Sequence, residues 1–146
     1  MKNKQSIILW FNISIVVLIL MVSVGGITRL TKSGLSITSW HPITGIFPPI
    51  SEREWIKNFN DYKQYPEFKI YNDTMTLDEY KYIYSWEYVH RLLGRIIAMI
   101  FVVPFLIFYS KKNFSKDFSL KLFFLFFIGL MQGAVGWYMV KSGLVD

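Results

Sequence analysis

Cysteine is absent from the 146-residue chain. That excludes disulfides, thiolate metal sites and cysteine nucleophiles, and it leaves the compartment open. Histidine is scarce: only His41 and His90 can offer an imidazole. Acidic side chains are also few, ten against sixteen lysines and arginines, for a net charge of +6. In a soluble chain that excess would raise the question of nucleic acid. Here the apolar residues, within a hydrophobic fraction of 53%, are concentrated in long runs, so the positive charge is read as membrane topology and no nucleic-acid partner is expected.

Three runs predict an all-α membrane protein. Residues 7–27 are mostly apolar and long enough to cross a hydrocarbon core of roughly 30 Å. A cleaved signal peptide is the competing reading. The run is longer than a usual signal core and lacks a small-x-small cleavage pattern. Residues 85–109 form the second run, with Pro104 inside it, a residue that membrane helices tolerate when neighbours satisfy the freed carbonyl. Residues 120–140 form the third, with a row of small residues at Gly129, Gly133 and Gly136 and one amide at Gln132. Gln132 suits either an interhelical hydrogen bond or a ligand contact. Lysines 2 and 4 before the first run, and 111, 112, 116 and 121 around the loop at 110–119, mark one side as cytoplasmic. The N-terminus is then inside and the loop over 28–84 outside. With no transit-peptide character before the first run, a bacterial plasma membrane is favoured over the mitochondrial inner membrane.

The outer loop is polar and aromatic, and seven basic residues balance seven acidic ones between Arg29 and Lys81. Trp40-His41-Pro42 and Phe47-Pro48-Pro49 read as extended or turn segments. Ser51-x-x-Glu54 is a capping box, and behind it Trp55, Phe59 and Tyr62 fall on one face. A short amphipathic helix over residues 52–64 is predicted, suited to the membrane surface or to covering the bundle. Thr76-x-x-Glu79 is a second capping box, predicting a helix from Leu77 that runs into the second span. At the end of the first span, Arg29 suits either a snorkelling anchor or a contact to a ligand carboxylate. Lys32-Ser33-Gly34-Leu35 recurs as Lys141-Ser142-Gly143-Leu144, consistent with glycine capping of two helix ends.

The second span opens on Trp86-Glu87-Tyr88-Val89-His90-Arg91-Leu92-Leu93-Gly94-Arg95. Ionisable groups at the mouth of a membrane helix are costly without partners, so this stretch is the candidate site. Glu87, His90, Arg91 and Gly94 share one helical face. They offer an acid, an imidazole, a cation and a gap without a side chain. A flat anionic macrocycle with a central metal would use all four: His90 as axial ligand, Arg91 for a carboxylate and Gly94 for close approach. Three readings follow from the residues alone: a haem-modifying oxidoreductase, a non-catalytic haem-binding subunit in which Glu87 has no task, or a helix bundle in which the charges are only an interfacial cluster.

The motifs, taken in order, resemble a known family. Gly25-Gly26-x-Thr28-Arg29-Leu30-Thr31-x-Ser33-Gly34-Leu35-Ser36, Trp40-x-Pro42, Pro66-Glu67-Phe68-Lys69, Glu87-x-x-His90-Arg91-x-x-Gly94-Arg95 and Gln132-Gly133-x-x-Gly136-Trp137 together are similar to the N-terminal half of haem A synthase, in the branch shared by mitochondria and related bacteria. The resemblance implies three helices of a four-helix-bundle half, within an enzyme of two such halves. It implies oxidation of the C8 methyl of haem O to the formyl of haem A, for cytochrome oxidase. On the matching positions, Glu87 takes part in the oxidation and His90 ligates the haem iron. The cofactor-binding set is His90, Arg91, Arg29, Gly94 and Gln132. Haem O is the substrate, and haem b belongs to the other half. Membrane lipid, that other half or a second chain, haem O synthase and oxidase assembly factors are the partners implied. The family's second histidine in this half belongs to a fourth helix beyond Asp146, so a truncated product or one piece of a split enzyme is expected, and the isolated chain is expected to bind haem weakly and to lack activity.

Overall fold

The computed structural model describes residues 4–39 and 44–142. It is all-helical: α1 (Lys4–Leu30), a 3-10 turn (Thr44–Ile46), α2 (Glu52–Tyr62), α3 (Pro66–Tyr71), α4 (Leu77–Ser110) and α5 (Lys116–Ser142), with no strand among the described residues. Helices α1, α4 and α5 are long and apolar enough to cross a membrane. The Trp40-His41-Pro42 segment and the second Gly-Leu pair, Gly143 and Leu144, lie outside the described residues.

Local chemistry accounts for the helix ends. Ser51 caps α2: its Oγ accepts from the Glu54 N–H, and Glu54 Oε2 accepts from the Ser51 N–H. Thr76 and Glu79 repeat the device on α4. Helix α2 closes at Tyr62, short of the predicted 64, because Gln64 turns its N–H back to Asp61 O at 3.2 Å and Tyr65 is extended ahead of Pro66. Pro66 then opens α3, a six-residue helix too short to leave a periodic signal. The end of α1 is closed by Lys32 rather than by Gly34. Lys32 sits at φ 50°, and the Ser33 N–H reaches back to Thr28 O at 2.8 Å. Lys112 ends α4 in the same way, at φ 52°.

Two aromatic clusters lie at opposite ends of α4. Ile37, Phe59, Tyr62, Phe68, Tyr80, Ile83 and Tyr84 form the core of a cap built from the loop, α2, α3 and the first turns of α4. Phe59 and Tyr62 both stack on Tyr80, with centroids 4.9 and 5.4 Å away. At the other end Trp10, Phe105 and Leu122 bring α1, α4 and α5 together. There Pro104 has no N–H for Ile100 O, and Trp10 Nε1–H donates to that carbonyl at 2.8 Å. Helix α1 packs along α4, whereas α5 leans on it only lightly. A Cβ placed at Gly129, Gly133 or Gly136 would meet nothing within 4 Å.

Candidate functional site

Helix α4 enters the cap at Leu77 and leaves it after Arg91, so the charged stretch lies where cap and membrane helices join. An α-helix turns about 100° per residue, which gives each side chain a different neighbour. Glu87 and Arg91 face the strap over residues 33–39. His90 and Gly94 lie roughly 60° round from them, against α1. Tyr84, Tyr88 and Arg95 lie on the opposite flank.

Glu87 is 3% exposed. Its Oε2 accepts from Ser36 Oγ at 2.7 Å and from the Ile37 N–H at 2.8 Å. Its Oε1 accepts from Arg91 Nε at 2.9 Å and Nη2 at 2.6 Å. Arg91 also donates to Ile37 O at 2.8 Å and Ser39 O at 3.0 Å. Helix α4 and the strap are thereby joined by a carboxylate and guanidinium that satisfy one another. A buried ion pair survives only with such additional hydrogen bonds. Tyr80 adds a bond to Ser36 O at 3.2 Å and Tyr65 one to Thr38 O at 3.0 Å.

His90 is half-buried against bare backbone. A Cβ at Gly25 would stand 3.1 Å from His90 Nε2 and 3.4 Å from Cδ2. Gly94 faces Met21, whose Cε would lie 3.5 Å from an added Cβ. Arg29 is exposed at the end of α1, and Gln132 is exposed on α5. The structure thus brings Glu87, His90, Arg91 and Gly94 to one junction; Arg29 lies one helical turn beyond Gly25 on α1, and Gln132 is on α5. Among the described residues no three His, Asp or Glu side chains gather around a common point.

Three residues were given no role at the site from sequence: Ser36 and Ile37, which bind Glu87, and Glu67. Ser36 and Ile37 lie 51 and 50 residues from Glu87 and leave no local signal. Glu67 stands in the cap, 3.5 Å from the Tyr62 hydroxyl, which also accepts from Asn72 at 2.7 Å. Burial, reinforced by the nearby charge of Glu87, raises its pKa to about 7, against the hydrogen bond from Tyr62 and the attraction of Lys32. A cleft of about 300 Å³, lined by Phe47, Pro48, Tyr84, Tyr88, Arg91 and Arg95, opens between cap and α4.

The chain is 48% identical over its whole length to a protein named heme A synthase from Flavobacterium psychrophilum, of which it covers 44%. A protein of the same name from Orientia tsutsugamushi (strain Ikeda) is 49% identical over 97% of the chain, and one from Ehrlichia canis is 51% identical over 97%; the chain covers 40% and 41% of them. It therefore spans about two fifths of the length of these relatives. No solved structure matches it. A family model described as cytochrome oxidase assembly protein matches residues 8–146, taking in all three long helices, the strap and the cap, and the chain belongs to that family.

Proposed function

We propose that the chain is the N-terminal portion of a haem A synthase and receives haem O, the substrate whose C8 methyl is oxidised to a formyl group. Identity of 48% across the entire chain to a heme A synthase carries this reading. The junction supports it. His90 offers one imidazole at the junction, its Nε2 edge packed against Gly25, and an imidazole is the group that would hold the haem iron. A second histidine and the site of haem b would be supplied by other segments or chains of the enzyme. The bacterial plasma membrane, the cap outside, is the proposed location, and haem O synthase and oxidase assembly factors are proposed partners.

Glu87 takes the chemical role in this reading: a fixed carboxylate one helical turn from His90, able to accept a proton or to stabilise positive charge on the reacting carbon. Its four hydrogen bonds favour a second reading, in which Glu87 and Arg91 position the strap and do not touch the substrate. The test uses a chimera in which this chain replaces the matching portion of a heme A synthase relative, with bound haem and the haem O to haem A ratio as readouts. His90→Ala should empty this half of haem. Glu87→Gln should keep haem and lower conversion by about 10²-fold or more. Normal conversion in Glu87→Gln would rule out the chemical role. Equal loss of haem and conversion in Glu87→Gln and Ser36→Ala would establish the positioning role instead.

A further inference from the structure

The cap carries an apolar finger over residues 46–50, Ile46-Phe47-Pro48-Pro49-Ile50. Phe47 is 77% exposed and Ile50 is 85% exposed. The finger is held at both ends. Ile46 O accepts from the Tyr88 hydroxyl at 2.7 Å, and the Ile50 and Ser51 N–H groups donate to Glu54 Oε2 at 2.8 and 3.2 Å. Two prolines stiffen the segment between these anchors. A pinned, stiffened segment that holds two large apolar side chains away from the cap core is built to present them.

Its depth identifies the surface it meets. Counting roughly 20 residues back from Tyr109 places the hydrocarbon boundary near His90. The Tyr88 hydroxyl that holds Ile46 is then at the headgroup level, where tyrosine and tryptophan belong. Charge agrees: no Lys, Arg, Asp or Glu occurs between Lys32 and Glu52, although charges crowd the loop on both sides. The segment carries no charge of its own at that depth, and the charged groups beside it, Glu54, Arg91 and Arg95, line the cleft behind it. Exposed to water the segment would be a liability.

We propose that Phe47 and Ile50 insert into the membrane interface on the cap side and seat the cap on the bilayer. The occupant of this surface is phospholipid, at the boundary of headgroup and acyl chain. The proposal does not depend on the proposed enzymatic activity.

The absence of cysteine makes the test direct. Phe47→Cys, Ile50→Cys, Arg53→Cys and Leu106→Cys are each labelled with a nitroxide, and the chain is placed in phosphatidylcholine–phosphatidylglycerol nanodiscs. Arg53 is an exposed position on α2 and Leu106 an exposed one on the α4 span, so they calibrate water and hydrocarbon. Accessibility to oxygen and to a water-soluble nickel chelate is measured at each site. Labels at 47 and 50 should shift from the ratio at 53 towards that at 106. A ratio equal to that at 53 would overturn the proposal. So would a label shielded from both reagents, which would mean that a protein surface covers the finger. All four sites are exposed, so unaltered circular dichroism is expected, and Phe47→Asp should return the label at 50 to the aqueous value.

Discussion

Adding one methyl group at Gly25 would place a carbon 3.1 Å from His90 Nε2, whereas at Gly26 it would meet nothing within 4 Å. Alanine is about 1 kcal/mol better than glycine inside a helix. Gly26→Ala should therefore stabilise α1 and leave the site alone. Gly25→Ala has the same propensity but must push the imidazole aside. The expected outcome is a detergent melting temperature at or above the parent's for Gly26→Ala, with a moved His90 ring resonance only in Gly25→Ala. With only two histidines to label, that signal is simple to assign. Glu67 gives a pH prediction. Its pKa is raised from 4.5 to about 7, so the folded cap holds that proton more tightly than the unfolded chain does. The contribution is full below pH 4.5 and falls away as pH rises to about 7. Glu67→Gln should flatten that fall and exceed the parent in stability above pH 7, measured by melts across this window; a parent stability rising over the same range would refute it. The Glu87, His90 and Arg91 cluster was legible in sequence because ionisable residues stand out in an apolar run. Pairing of Glu87 with Arg91, one turn on, was legible as well, but Ser36 and Ile37 were not, because tertiary partners leave no periodic trace.

Helices were legible where they are long or boxed. The two capping boxes, the three spans and the unbroken passage from Leu77 into the second span could all be read from pattern. Helix α3 and the lysine caps could not: six residues show no period, and a lysine in the left-handed region imitates no known signal. Pro104 lies between these cases. That its orphaned carbonyl needs a donor follows from sequence, but which donor does not. Trp10 supplies it from 90 residues away. Trp10→Phe keeps the ring packing but strands Ile100 O, at an expected cost of about 1–3 kcal/mol. Pro104→Ala restores a main-chain donor, so Trp10→Phe on that background should cost measurably less. A double-mutant cycle of detergent-denaturation free energies reads the coupling, and strict additivity would show that the indole does not serve this carbonyl.

Over the whole molecule, the Trp10 cluster gathers the start of α1, the end of α4 and the start of α5. Lys4, Lys111, Lys112 and Lys116 therefore share one end of the bundle, and the cap occupies the other. This gives the proposed orientation a physical basis. A cytoplasm-active reporter inserted at the α4–α5 turn should be active, and one inserted at Asp73 silent; the reverse would invert the topology. The cap's dependence on α4 also sets a clock. Tyr80, Tyr84, Glu87 and Arg91 lie on the far side of the loop that they organise. During synthesis the strap, α2 and α3 emerge before the turns they must close upon. The loop thus stays without its core until the beginning of α4 has emerged from the ribosome. Any pause in translation between Thr76 and the emergence of Arg91 from the ribosome lengthens that interval.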